Sequence, residues 1–121
     1  WLSEHPAVAK VHYPGLDDHP DHATAAALFR GFGGMLSFVV RGGDDAARRV
    51  MSRFALIAVA PSLGGVESLA SMPRFTSHAS LTSEQRHAGG IDDGFIRVSI
   101  GIEDVEDIRA DLENALGREA S

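Results

Sequence analysis

Arg97 is the residue in this chain whose type and setting most readily suggest chemistry. It stands inside "GFIRVSIG", Gly94–Gly101, among apolar residues and a serine. A strand repeats every two residues, so Ile96, Val98 and Ile100 fall on one face and Phe95, Arg97 and Ser99 on the other. The ordinary reading is an arginine on the wet face of a half-exposed sheet. The chemical reading is a guanidinium fork that grips both oxygens of a carboxylate. A second stretch, "APSLGGVESL" (Ala60–Leu69), follows the apolar run "FALIAV". Pro61, Gly64 and Gly65 could simply turn the chain out of a strand. The same residues would also let the backbone come close to a ligand, because glycine carries no side chain.

Other candidates for chemistry are weaker. Asp17, Asp18, His19, Asp21 and His22 crowd together in "DDHPDH". Their spacing matches no recognised metal motif, and acidic residues are usual ahead of a helix, so no metal is expected. His78 and His87 read as surface residues. Cysteine is absent, which removes disulfides and thiolate nucleophiles. Lys10 is the one lysine. No nucleophilic triad, phosphate loop or dinucleotide fingerprint is present.

The elements that must position Arg97 and the loop follow from hydrophobic period and punctuation. "WLSEH" reads as the tail of a helix stopped by Pro6, and "AVAKVHY" as a strand closed by Pro14 and Gly15. "HPDHATAAALFRGF" reads as a helix with Pro20 in its first turn and Ala25, Leu28 and Phe29 on its apolar stripe. "MLSFVVR" is a strand. "GGDDAARRVMSRF" is a helix with acidic residues in its first turn and Val50, Met51 and Phe54 on its inner side. "ALIAVA" reads as a short buried strand. Met72–Asp93 is polar and turn-rich, with a helix start at Thr82-Ser83-Glu84. After the Arg97 strand, "EDVEDIRADLENAL" is a helix whose stripe is Val105, Ile108, Leu112 and Leu116. The expected fold class is α+β: about four strands in a mainly antiparallel sheet, with helices packed on one face.

Size and charge narrow the function. The 121 residues suit one domain, residues 1–121, with 44% hydrophobic and 23% charged content. A net charge of −6 with scattered basic residues excludes a phosphate-binding face for nucleic acid. No apolar run reaches the roughly 18 residues of a membrane span, and no signal peptide is visible, so a cytoplasmic setting is expected. The opening "WLSEHPAV" lacks a methionine and reads as the interior of a longer polypeptide.

Several ordered segments together resemble one family. They are "VAKVHYPGLDDHPDH", "GFGGMLSFVV", "SLGGVESL", "MPRFTSHAS" and "GIDDGFIRVSIGIEDVEDIRADLENAL". In that order they resemble the C-terminal domain of the pyridoxal-phosphate enzymes of cysteine and methionine metabolism. That family includes cystathionine γ-synthase, cystathionine γ-lyase, methionine γ-lyase and the homoserine sulfhydrylases. The resemblance implies the smaller, substrate-closing domain of a fold-type I enzyme, with pyridoxal phosphate held by a large domain that this chain lacks. It implies that Arg97 clamps the substrate α-carboxylate and that Ser62 and Leu63 line the site. Gly64 and Gly65 would be structural, and Glu67 a structural partner near the turn with no catalytic role.

Pro61 falls where the family varies between members. Some γ-synthases carry "APS" there, which inclines the expectation toward γ-replacement on an O-acylhomoserine with cysteine. The alternatives are a C–S lyase, or a non-catalytic amino-acid-binding or assembly domain. The partners implied are an amino-acid substrate (O-acylhomoserine, cysteine or cystathionine), the large domain, and a homotetramer of the parent enzyme. The cofactor lysine of the family does not match Lys10, so catalysis is expected of the parent and not of this chain alone.

Overall fold

The computed structural model describes residues 1–117. Its five-stranded sheet runs β1 (Val8–His12), β2 (Met35–Val40), β5 (Phe95–Ser99), β4 (Leu69–Ser71) and β3 (Ala58–Val59) from edge to edge. Pairing is antiparallel from β1 through β4, and the last pair, β3 with β4, is parallel. The helices are α1 (His22–Leu28), α2 (Gly43–Arg53), α3 (Ser83–Ala88) and α4 (Val105–Leu116).

Strand alternation builds the core on one face. Phe38 and Val40 of β2, Ile96 and Val98 of β5, Ala70 of β4 and Val8 of β1 lie buried there. Against them pack Ala46, Ala47 and Val50 of α2, and Ile108, Leu112, Ala115 and Leu116 of α4. Period two on the sheet thus meets period 3.6 on two helices, the layered α+β arrangement expected. The opposite face carries Arg97.

The sheet has one strand more than expected. Leu69–Ser71 forms β4, with all three residues buried. Three residues between turns are too few for alternation to register, and "LAS" holds only one strongly apolar side chain. The expected buried strand "ALIAVA" is also different: only Ala58 and Val59 pair, both are exposed, and Ile57 just before them is the core residue. They form the sheet's edge, where one side of the ladder has no strand to bury it.

Three helix expectations change as well. Leu2–Glu4 is a single 3-10 turn. Helix α1 starts at His22 after N-cap Asp21, so Pro20 precedes the helix. Only Ala25 of its stripe is buried, while Leu28 and Phe29 face outward, because the helix spans just two turns at the periphery. On α4, Val105 is 70% exposed. It is the first helical residue, and the buried stripe begins one turn later at Ile108. The start of α3 is as read: Thr82 Oγ1 accepts the Gln85 N–H while Gln85 Oε1 accepts the Thr82 N–H, a reciprocal capping box.

Candidate functional site

Arg97 sits in β5, the central strand of the five, with its backbone paired on both sides. Its register partners are Ser37 on β2 and Ser71 on β4. His12 on β1 stands opposite Ser37. Polar residues therefore cross four strands in one row, His12–Ser37–Arg97–Ser71, on the face away from α2 and α4. Adjacent strands lie about 4.8 Å apart, so neighbours in the row are within side-chain reach.

The loop after β3 meets this row. Arg97 Nη2 donates to the carbonyl oxygen of Pro61 at 2.7 Å and more weakly to that of Ser62 at 3.4 Å. Ser62 and Leu63 are exposed on the same loop. The structure thus brings together three of the residues named from sequence, Arg97, Pro61 and Ser62, with Leu63 next in line. Both bonds go to backbone carbonyls, so they do not depend on which side chain stands at position 61.

Local chemistry explains why the loop is held there. Gly64 adopts φ +80, the left-handed region that favours glycine. Its N–H donates to Ser99 Oγ at 2.9 Å, two residues beyond Arg97 on the same face of β5. Gly65 has neither a positive φ nor any atom near an added Cβ, so only the first of the two glycines is required by the turn. At the far end of the loop, Glu103 receives the Ser68 N–H and the Ser68 hydroxyl, each at 2.8 Å. Ser68 Oγ in turn accepts the Gly101 N–H. Hydrogen bonding from the Ser68 backbone, from Glu103's own backbone and from the Ser68 hydroxyl holds the Glu103 carboxyl below its ordinary range, with burial opposing.

Glu103, not Glu67, is the acid that ties the loop down. Glu67 is exposed, and its expected role as a partner near the turn is taken by a carboxylate further along the chain. Sequence reasoning also passed over Ser99, Ser68 and Ser71. Ser99 had a signal, since it shares Arg97's parity in the strand. The Ser68–Glu103 pair had none, because its members lie 35 residues apart.

Two buried side-chain atoms among the described residues have no hydrogen-bond partner: His12 Nε2 and Ser71 Oγ. Both belong to the row that contains Arg97. Burial lowers the His12 pKa, assisted by Lys10 and opposed by Asp92. The aspartate and histidine cluster near α1 is tied up locally: His22 Nδ1 bonds the Pro14 carbonyl oxygen at 2.8 Å, and its ring stacks on Phe32. His87 pairs with Asp93 on the surface.

Comparison with known proteins bears on the family and the fold. Residues 1–117 match the model of the Cys/Met metabolism PLP-dependent enzyme family. The chain is 47% identical to a cystathionine beta-lyase of Coxiella burnetii over 116 residues, 96% of this chain and 30% of that protein. It is 45% identical to a cystathionine gamma-synthase of Mycobacterium tuberculosis over 117 residues, 97% of this chain and 29% of that protein. A solved structure of cystathionine gamma synthase from Xanthomonas oryzae pv. oryzae in complex with cystathionine superposes with a TM-score of 0.88 at 47% identity. The match covers 95% of this chain and 30% of that one. The chain belongs to the Cys/Met metabolism PLP-dependent enzyme family, and it spans about 30% of the length of these relatives.

Pyridoxal phosphate is the cofactor of that family, and the residues here do not form a seat for it. Lys10, the one lysine of the chain, is exposed on edge strand β1, paired with Val39 and separated from β5 by the whole of β2. What this chain offers is an arginine on the open face of the sheet, beside the Pro61–Leu63 loop, and no lysine placed near it.

Proposed function

We propose that this chain is the carboxylate-binding portion of a pyridoxal-phosphate-dependent transsulfuration enzyme. Arg97 grips the α-carboxylate of an amino-acid substrate, with Ser62 and Leu63 beside it and Pro61 at a position that tunes selectivity. One observation carries the reading: the Arg97 guanidinium and the Pro61–Leu63 loop converge at a single point, tied by the 2.7 Å bond to the Pro61 carbonyl. A fork of N–H donors held by a rigid strand is suited to a planar carboxylate.

The favoured chemistry is γ-replacement on an O-acylhomoserine by cysteine, supported by the similarity to the Mycobacterium tuberculosis and Xanthomonas oryzae gamma-synthases. A lyase reading stands beside it, supported by the similarity to the Coxiella burnetii beta-lyase. The parent would work as a cytoplasmic homotetramer, with the cofactor and its lysine in the portion outside this chain. On this reading the 121-residue chain alone has no turnover.

The test uses the full-length parent polypeptide. Calorimetric titration with cystathionine should show Arg97→Ala weakening binding by one to two orders of magnitude, the scale of a charge-assisted hydrogen-bonded pair. The melting temperature should move little, because Arg97 holds only exposed loop carbonyls. Unchanged affinity in Arg97→Ala overturns the proposal. Supplying O-acylhomoserine with cysteine, and cystathionine alone, then separates replacement from elimination by product.

A further inference from the structure

The loop that meets Arg97 has two tethers to β5, and Ser62 and Leu63 hang between them. One tether is the bond from Arg97 Nη2 to the Pro61 carbonyl at 2.7 Å. The other is the Gly64 N–H, donated to Ser99 Oγ at 2.9 Å. Arg97 and Ser99 lie two residues apart on one face of the strand, so their places along it are about 7 Å apart. Ser62 and Leu63 are exposed, so they are aimed by the strand and not by packing of their own.

The Ser99 anchor is the firmer of the two. Ser99 is only 2% exposed, and its register partners are Met35 on β2 and Leu69 on β4. Its oxygen stands one bond beyond Cβ, close to the backbone of a central strand. Arg97 instead carries its guanidinium on a long stem, whose rotamer freedom is among the largest of any side chain. Among the described residues its hydrogen bonds go only to the Pro61 and Ser62 carbonyls, and no carboxylate pairs with it. The guanidinium is therefore oriented by what Nη2 touches. That carbonyl is placed in turn by Gly64, three residues on, where a φ of +80 closes the turn and the N–H is bound to Ser99. Order passes from Ser99 to Gly64, then to the Pro61 carbonyl, then to the guanidinium.

We propose that Ser99 is a positioning residue for the Arg97 grip: by holding Gly64 it fixes the carbonyl that orients the guanidinium before a carboxylate arrives. The inference rests on the carboxylate reading above and adds a residue that acts without touching the ligand. What it supplies is preorganisation, since a fork already in place loses less freedom when a ligand binds.

The experiment is a double-mutant cycle on the full-length parent, read by calorimetric titration with cystathionine. Ser99→Ala removes only the hydroxyl and should weaken binding about three- to tenfold, the scale of one net hydrogen bond. In an Arg97→Ala background the same change should move affinity by less than about twofold, because the residue it acts through is gone. Ser99→Cys, close to serine in size but only a weak acceptor, carries the same cycle if the alanine variant fails to fold. Unchanged affinity in the single variant overturns the proposal. An equal loss in both backgrounds also overturns it, because a serine that merely stabilises the fold would act independently of Arg97. Arg97→Ala that binds as tightly as wild type overturns the carboxylate reading itself, and the role of Ser99 with it.

Discussion

Ser99 Oγ accepts the Gly64 N–H, Arg97 holds the Pro61 carbonyl, and Ser71 completes the same face without a partner of its own. Three residues within one patch thus play different parts: one fixes the loop, one presents a cation, one leaves a hydroxyl unspent. The unspent one allows a stability test. Truncating a buried group that has no partner removes a desolvation cost, so Ser71→Ala should keep or raise stability, by up to about 1 kcal/mol. A loss of more than that in urea denaturation would mean the hydroxyl is satisfied in solution. His12 gives the residue scale a pH signature. Its folded pKa is lowered from 6.5, mainly by burial, so the native state takes up a proton less readily than the unfolded chain. The stability it contributes is present above 6.5 and is lost as pH falls below that value. His12→Phe should flatten this part of the stability–pH curve, read by thermal melting at stepped pH. Arg97 and its parity with Ser99 were legible in the sequence because alternation in a five-residue strand is a local signal. Ser71 was not, since its meaning depends on a strand that pairs with Arg97 from 26 residues away in the chain.

The loop and α4 are tied down as elements by two carboxylates reaching across the fold. Glu103 holds the Ser68 end of the loop. Because its folded pKa is lowered, its contribution is fully present above the ordinary carboxylate range and is lost as pH falls through the lowered folded value. Glu103→Gln should remove that acid-side loss, measured by melting curves from neutral to acid pH. The neighbouring Gly101 leaves no room for a side chain: an added Cβ would fall 2.6 Å from both the Glu67 carbonyl carbon and Glu103 Oε1. Gly101→Ala should therefore cost about 1–3 kcal/mol, the usual scale of overpacking. Asp111 does the same work on α4. Its buried carboxylate receives the N–H groups of Ala55, Leu56 and Ile57, at 2.8, 3.0 and 2.8 Å. Asp111→Ala leaves three donors unmatched, and a loss on the order of 3 kcal/mol in urea denaturation is expected. The helices α2 and α4 were readable from their apolar period, and α3 from its capping box. The exposed edge β3 was not, because "ALIAVA" is apolar enough to suggest a buried strand and only the packing decides that Ile57 alone goes inside.

At the scale of the whole molecule, several large apolar side chains stay in contact with water. Leu63, Val66, Ile102 and Val105 are each more than half exposed, and Ile102 is joined to Val66 by a backbone hydrogen bond. Leu28 and Phe29 are similarly open. The architecture itself, helices on one face of a mainly antiparallel sheet, followed from binary pattern, whereas the order β1-β2-β5-β4-β3 did not, because strand neighbours distant in sequence leave no local trace.

The bond from Arg97 to the Pro61 backbone oxygen separates two tasks that could have been entangled. The tether of Arg97 to the loop uses a carbonyl that every amino acid supplies, and the side chain at 61 takes no part in that bond; on the proposed reading, grip and selectivity are thereby divided between the two. On that reading, position 61 can drift through generations of variants while the tether of Arg97 to the loop stays put. A lineage built on such a loop can acquire a new diet by single substitutions, without first passing through ancestors that have lost their hold on amino acids altogether.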